Sequence, residues 1–146
     1  QVEATFLAMA GLNRLGLILD YAHPVDPDDM LPACGQGIVA VQTRVDDAPA
    51  QGLLDPIHCR ETGLCAAAER EALRILDGSC RTPIGLYAVL TQGKLAIRCL
   101  VSSPDGREIH TEEMMKTADD DHAAMMTGRE AGTALKRRLP PGLLAA

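Results

Sequence analysis

The chain has 146 residues, 47% of them hydrophobic, enough for one ordinary core and too few for two large ones. A formal net charge of −6, no tryptophan, and aromatics limited to Phe6, Tyr21 and Tyr87 argue against nucleic-acid binding, which needs basic patches or stacking platforms, and against an anionic membrane surface. No apolar run approaches the roughly 20 residues needed to span a bilayer, and five cysteines without a signal peptide read as reduced thiols in a cytoplasm.

In chain order, Thr5 to Ala10 predicts a buried strand, and Gly11 opens a short helix that ends at Gly16. Such a junction presents backbone N–H groups and the positive end of a helix near Gly11, a site for an anion. Arg14 can add a bidentate grip on a carboxylate there, or be a solvated helical arginine. A first element so apolar has no partner before it, so we expect the C-terminal portion of a longer protein. Residues 20 to 31 carry four aspartates with Pro24 and Pro27 and read as an acidic surface loop. Gly35-Gln36-Gly37 then allows close backbone approach, with Cys34 beside it as a packed small residue. Ile38 to Val45 alternates as a strand with Val39, Val41, Thr43 and Val45 on one face. Asp46 to Gly52 reads as a linker, giving three parts: 1–46, a 47–52 linker, and 53–146.

Arg60 to Leu76 is an amphipathic helix with Leu64, Cys65, Ala68, Ala72, Ile75 and Leu76 inside. Arg70 and Arg74 fall on its flank, with Glu69 and Glu71 as counter-charges. Asp77-Gly78 is a stop signal, which leaves Cys80 on the loop Gly78-Ser79-Cys80-Arg81. A loop cysteine is free to react. Arg81 favours its thiolate while the helix C-terminus opposes it, and by residue type alone a small buried cysteine is the alternative. Ile84 to Thr91 and Lys94 to Ser102 form a hairpin through Gln92-Gly93, and Pro104-Asp105-Gly106 turns into a third strand, Arg107 to Lys116. Asp119 or Asp120 caps a last helix from Ala123 to Leu139, on which Met125 and Met126 fill gaps. The architecture expected is α+β: a three-stranded antiparallel sheet packed on helices, after the tail of an α/β domain. His58, Cys59 and Cys65 fit no zinc spacing, so no metal site is expected, and His23, His110 and His122 lack partners at catalytic spacing. Asp77 and Asp105 are explained as stop and turn residues, which leaves no catalytic carboxylate.

AMAGLNRLG (8–16), LPACGQG (31–37), the arginine of VQTR (Arg44), ETGLCAAAEREALRILDGSCRTPIG (61–85) and SSPDG (102–106) together resemble the hydroxymethylbilane synthase, or porphobilinogen deaminase, family. Ser79, where a second glycine is common, and Arg81-Thr82, in place of a frequent Gln-Val, depart from its pattern. The resemblance implies that residues 1–46 are the strand-helix-strand end of a periplasmic-binding-protein-like α/β domain, with residues 31–45 crossing between domains. It implies a dipyrromethane cofactor joined to Cys80 by a thioether. Arg14, Ala8, Gly11, Gln36, Gly37 and Arg44 would line the cofactor and substrate cleft, and Arg70 would meet the missing N-terminal region.

The implied activity joins four porphobilinogen molecules into hydroxymethylbilane with release of ammonia, a transferase step of tetrapyrrole biosynthesis. Its catalytic aspartate would lie in the N-terminal domains, so the fragment alone should be inactive, whereas the full-length enzyme would be a cytoplasmic monomer. The competing reading is a regulatory α+β module that holds an anion through Gly11 and Arg14 without catalysis.

Overall fold

The computed structural model describes residues 2–17, 19–78 and 82–143. Two units separate, Gln1–Met30 and Leu31–Ala146. In the first, α1 spans Met9–Arg14 and closes on a Schellman pair: Gly16 N–H donates to Asn13 C=O (3.1 Å) and Leu17 N–H to Leu12 C=O (3.0 Å), with Gly16 at φ +64°. The strand expected over Thr5 to Ala10 is not there. Thr5 to Ala8 is irregular and Met9 and Ala10 are already helical, because a ladder needs a neighbour and the described residues of this unit hold none. The acidic loop is as expected, bent at Asp26, whose side chain accepts Asp28 N–H (2.9 Å).

In the second unit α2 (Ala48–Leu54), a 3₁₀ turn (Asp55–Ile57), α3 (Arg60–Ile75), β1 (Ile84–Thr91), β2 (Lys94–Ser102), β3 (Ile109–Thr117) and α4 (Asp121–Lys136) follow in order. The second expected strand, Ile38 to Val45, is also absent, and Val39 and Val45 stand 92% and 96% exposed. Local bonds take its end instead: the Gln51 side-chain amide donates to Arg44 C=O (3.2 Å) and Val45 C=O (3.0 Å). Asp47 caps α2 by accepting Ala50 N–H (3.1 Å), so part of the expected linker is helical.

The sheet is an antiparallel meander, β1-β2-β3. Gln92 (φ +52°) and Gly93 (φ +74°) both take the left-handed region, the geometry of a two-residue turn whose twist matches its strands. The third strand starts two residues later than the pattern implied. Arg107 N–H is held by Asp105 (3.2 Å) and Glu108 N–H by Ser103 Oγ (3.0 Å) in the preceding turn. Leu86 and Ala88 on β1, with Leu95, Ile97, Cys99 and Val101 on β2, point to one face. There they bury against Leu64, Ala68, Ala72 and Leu76 of the first long helix and Ala124, Ala131 and Leu135 of the second.

The helices α3 and α4 pack backbone to backbone. A Cβ built on Gly128 would lie 2.7 Å from the Ala68 carbonyl carbon and 2.9 Å from its Cα, and one on Gly132 would lie 3.2 Å from Ala72 Cα. Asp120 caps α4 through Ala123 N–H (2.8 Å). Helix α3 ends on a second Schellman pair, Gly78 N–H to Leu73 C=O (3.0 Å) and Asp77 N–H to Arg74 C=O (3.3 Å). Asp77, not Gly78, takes the left-handed position (φ +58°), while a Cβ at Gly78 would meet the ends of the Leu73 and Ile84 side chains, with Ile84 Cδ1 at 2.7 Å. Lys136 seals this end by donating to Ile75 C=O (2.7 Å).

Candidate functional site

In the second unit a groove of about 370 Å³ runs along the free edge of β1, lined by Gln36, Gly37, Glu61, Cys65, Glu69 and Tyr87 among others. Chain geometry explains why it is there. As an edge strand, β1 turns the N–H groups of Leu86, Ala88 and Leu90 away from β2, and each must find an acceptor elsewhere. Leu86 N–H donates to Pro32 C=O (2.8 Å), Ala88 N–H to Glu69 Oε1 (2.8 Å), and Leu90 N–H to the sulfur of Cys65. The segment after Leu31 is thereby laid beside the strand. Its closeness explains Gly85, where a Cβ would sit 2.8 Å from Leu31 Cβ.

Glu69 carries the other half of the arrangement. It is only 5% exposed, and while Oε1 receives Ala88 N–H, Oε2 receives Gly35 N–H at 2.7 Å. Burial pushes its carboxyl up from the ordinary range, and the two N–H donors pull against that shift. The expectation that Glu69 balances the flanking arginines is corrected: the side chain points inward to main-chain donors. Glu71 does serve that purpose. It accepts from Arg74 (2.7 and 2.8 Å) and from Arg129 (2.8 Å), and these bonds hold its carboxyl down at about 2. Periodicity could not separate the two, since both are glutamates on the flank of one helix. On the helical wheel they border the apolar arc of Leu64, Cys65, Ala68, Ala72, Ile75 and Leu76 from opposite sides and equally closely, so the sequence held no signal that told them apart.

Gln36 and Gly37, expected in the cleft, both line the groove, on a turn with Gly35 at φ +70° and Gly37 at φ +83°. No atom lies within 4 Å of a Cβ at either glycine, so positive φ and not crowding requires them here. Cys34 beside the turn is half-buried, and burial followed by the Glu69 charge raises its thiol pKa, as suits a packing residue. Arg44, 81% exposed, pairs with Asp47 (2.9 Å). Ala8, Gly11 and Arg14 belong to the first unit, on α1 and its cap. There the anion site at Gly11 is corrected: its N–H donates to Ala8 C=O (3.0 Å), as does that of Leu12 (3.4 Å), and the helix has just six residues. Arg14 has no ion pair among the described residues. Cys80 lies outside the described residues.

Among the described residues no three His, Cys, Asp or Glu side chains cluster as a metal site, and no helix is long and apolar enough to cross a membrane. The second unit is thus a small α+β domain, two helices on one face of a three-stranded meander, with a groove at the sheet's first edge. Residues 63–137 match the family model described as "Porphobilinogen deaminase, C-terminal domain", and residues 1–52 match "Porphobilinogen deaminase, dipyromethane cofactor binding domain". The chain belongs to the porphobilinogen deaminase family. It is 44% identical over 137 residues to the porphobilinogen deaminase of Paracoccus denitrificans, and 41% and 40% identical over 138 residues to those of Nitrobacter winogradskyi and Nitrobacter hamburgensis. Each alignment covers 94% of this chain and 43% of the relative. Ala8, Gly11, Arg14, Gln36, Gly37 and Arg44 all fall inside the span matched by the cofactor-domain model.

Proposed function

We propose that this chain is the C-terminal part of a hydroxymethylbilane synthase, a transferase that condenses four porphobilinogen molecules with release of ammonia. The observation that carries the reading is the tandem match, cofactor-domain model then C-terminal-domain model, with relatives of that name aligned over 94% of the chain. Residues 1–46 are the end of the periplasmic-binding-protein-like α/β domain, 47–52 the linker, and 53–146 the domain that presents Cys80.

A dipyrromethane group has acidic side arms and pyrrole N–H donors, so its site needs cations and neutral acceptors. The residues at hand suit it: Arg14 is unpaired among the described residues, Arg44 is exposed with one carboxylate partner, and Gln36 stands in the groove with an amide oxygen. When bound, the group supplies an anchored pyrrole end to which further units are joined. Cys80 is its covalent anchor, Arg14 and Arg44 hold carboxylates of cofactor or substrate, and Gln36 and Gly37 offer a side-chain amide and an uncrowded backbone. Ala8 and Gly11 contribute to holding the group beside Arg14. The proton-managing carboxylate comes from the N-terminal domains, which Arg70 faces. The whole enzyme is a cytoplasmic monomer with no nucleic-acid or membrane partner.

Intact mass of the full-length protein tests this. A dipyrrole adduct that disappears in Cys80→Ala, with no tetrapyrrole formed by the 146 residues alone, is the expected pair of results. An unmodified full-length enzyme that is nonetheless active would overturn the assignment of Cys80.

A further inference from the structure

We propose that Glu69 is the positioning residue of the groove: its carboxylate, by accepting Gly35 N–H and Ala88 N–H together, docks the Cys34–Gly37 turn onto the β1 edge and sets where Gln36 and Gly37 stand. The two donors are 53 residues apart in the chain and belong to different elements, an irregular turn and a strand. One acidic side chain from a third element, α3, joins them. A carboxylate is suited to this because both its oxygens accept, whereas an amide offers one oxygen and one NH₂ that would face a donor. The turn is also tied by Pro32 C=O on Leu86 N–H, by Cys34 packed against the core, and by its own backbone bonds, Gln36 N–H to Ala33 C=O (3.0 Å) and Ile38 N–H to Gly35 C=O (3.0 Å).

The titratable groups that feel the Glu69 charge are the thiols of Cys34 on the turn, Cys65 on α3 and Cys99 on β2, with Arg70 near Cys34. Burial raises the pKa of all three thiols, as it raises that of Glu69; Glu61 lines the same groove, and of these two acids it is Glu69 that accepts the Gly35 and Ala88 N–H groups.

The functional half of the inference rests on the proposed role of Gln36 and Gly37; the docking half does not. In the 146-residue chain the Gly35 and Ala88 amide protons, followed by NMR against pH, are expected to titrate with one shared midpoint above the usual glutamate value. In Glu69→Gln, exchange of both amides is expected to rise at least tenfold. The Tyr87 and Val89 amides, which face β2, keep their protection and report an intact sheet. Separate midpoints, no titration, or unchanged exchange in the variant overturns the proposal. Should Glu69→Gln fail to fold, the wild-type titration alone decides. Loss of the Cys80 adduct assignment would leave the shared midpoint untouched, so the two readings fail separately.

Discussion

Gly128→Ala should destabilise the second unit by about 2 kcal/mol or more, although it swaps a poor helix former for the best one. The added Cβ would lie 2.7 Å from the Ala68 carbonyl carbon and 2.9 Å from its Cα. Carbon atoms rest at about 3.5 to 4.0 Å, so α4 has to retreat by roughly 1 Å. A gap of that size forfeits about a quarter to a half of the dispersion energy across the interface. Leu64, Ala68, Ala72, Ala124, Ala131 and Leu135 all border that interface and all would be loosened. Overpacking of this kind costs about 1–3 kcal/mol, occasionally more. The obstacle here is main chain, which no rotamer change relieves, so the upper end applies, less about 1 kcal/mol of helix propensity. Gly132→Ala is the internal control. Its Cβ would lie 3.0 Å from Ala72 O and 3.2 Å from its Cα, a mismatch of tenths of an ångström that the propensity gain offsets to within about 1 kcal/mol. Urea unfolding followed by far-UV circular dichroism reads both: with a slope of about 1–3 kcal/mol per molar, Gly128→Ala should lower the midpoint by about 1 M. Equal midpoints for the two variants would refute the reasoning. So would rescue of Gly128→Ala by Ala68→Gly, since that second change leaves the obstructing carbonyl in place.

The acid limb of stability should belong to Glu71. Its folded pKa of about 2 lies below the ordinary 4.5, so its contribution is complete above 4.5 and is lost as pH falls toward 2. That shift sets a ceiling of about 3 kcal/mol, and with Arg74 and Arg129 half-exposed, screening reduces the expected loss to about 1–2 kcal/mol. Glu69, raised instead, acts with opposite sign and loses its contribution as pH rises through its folded pKa. Urea midpoints from pH 2 to 6 should therefore show a flatter acid limb in Glu71→Gln, and an unchanged limb would reject the assignment. Alkylation at neutral pH should find Cys59 first among the described cysteines. It is exposed at the start of α3, and Thr62 Oγ1 donates to its sulfur (3.1 Å), which lowers its pKa. Cys99, buried and pushed up to about 12, should label last and only on unfolding. Equal labelling rates by peptide mass mapping would contradict this order.

How far the sequence could be read depended on whether a pattern had a partner nearby. The strands read as a hairpin, β1 and β2, have their expected bounds because the Gln92-Gly93 turn pairs each with the other. Alternation over Ile38 to Val45 gave a false strand, for Gln51 and Asp47 supply cheaper local bonds there and no neighbouring strand competes among the described residues. Thr5 to Ala10 failed for the same reason. The helix stop at Asp77-Gly78 was legible, yet its division of labour was not: aspartate takes the left-handed turn and glycine yields space to Leu73 and Ile84. Gly128 and Gly132 passed unremarked because four-residue spacing of small residues means little until a second helix is known to face it. In the groove, Gln36 and Gly37 were named from resemblance, whereas Glu69 was misread as a surface counter-charge. Only tertiary structure tells a carboxylate that meets water from one that meets two amides.

The satisfied edge of β1 has a consequence for how copies of this domain meet. A foreign strand arriving on that flank would find a proline carbonyl, a carboxylate and a sulfur already on the three outward amides, and would have to strip all three to dock. Sheet growth is therefore blocked on one side, leaving the β3 flank, where Arg138 sits on the Thr111 carbonyl, as the face from which runaway pairing would start.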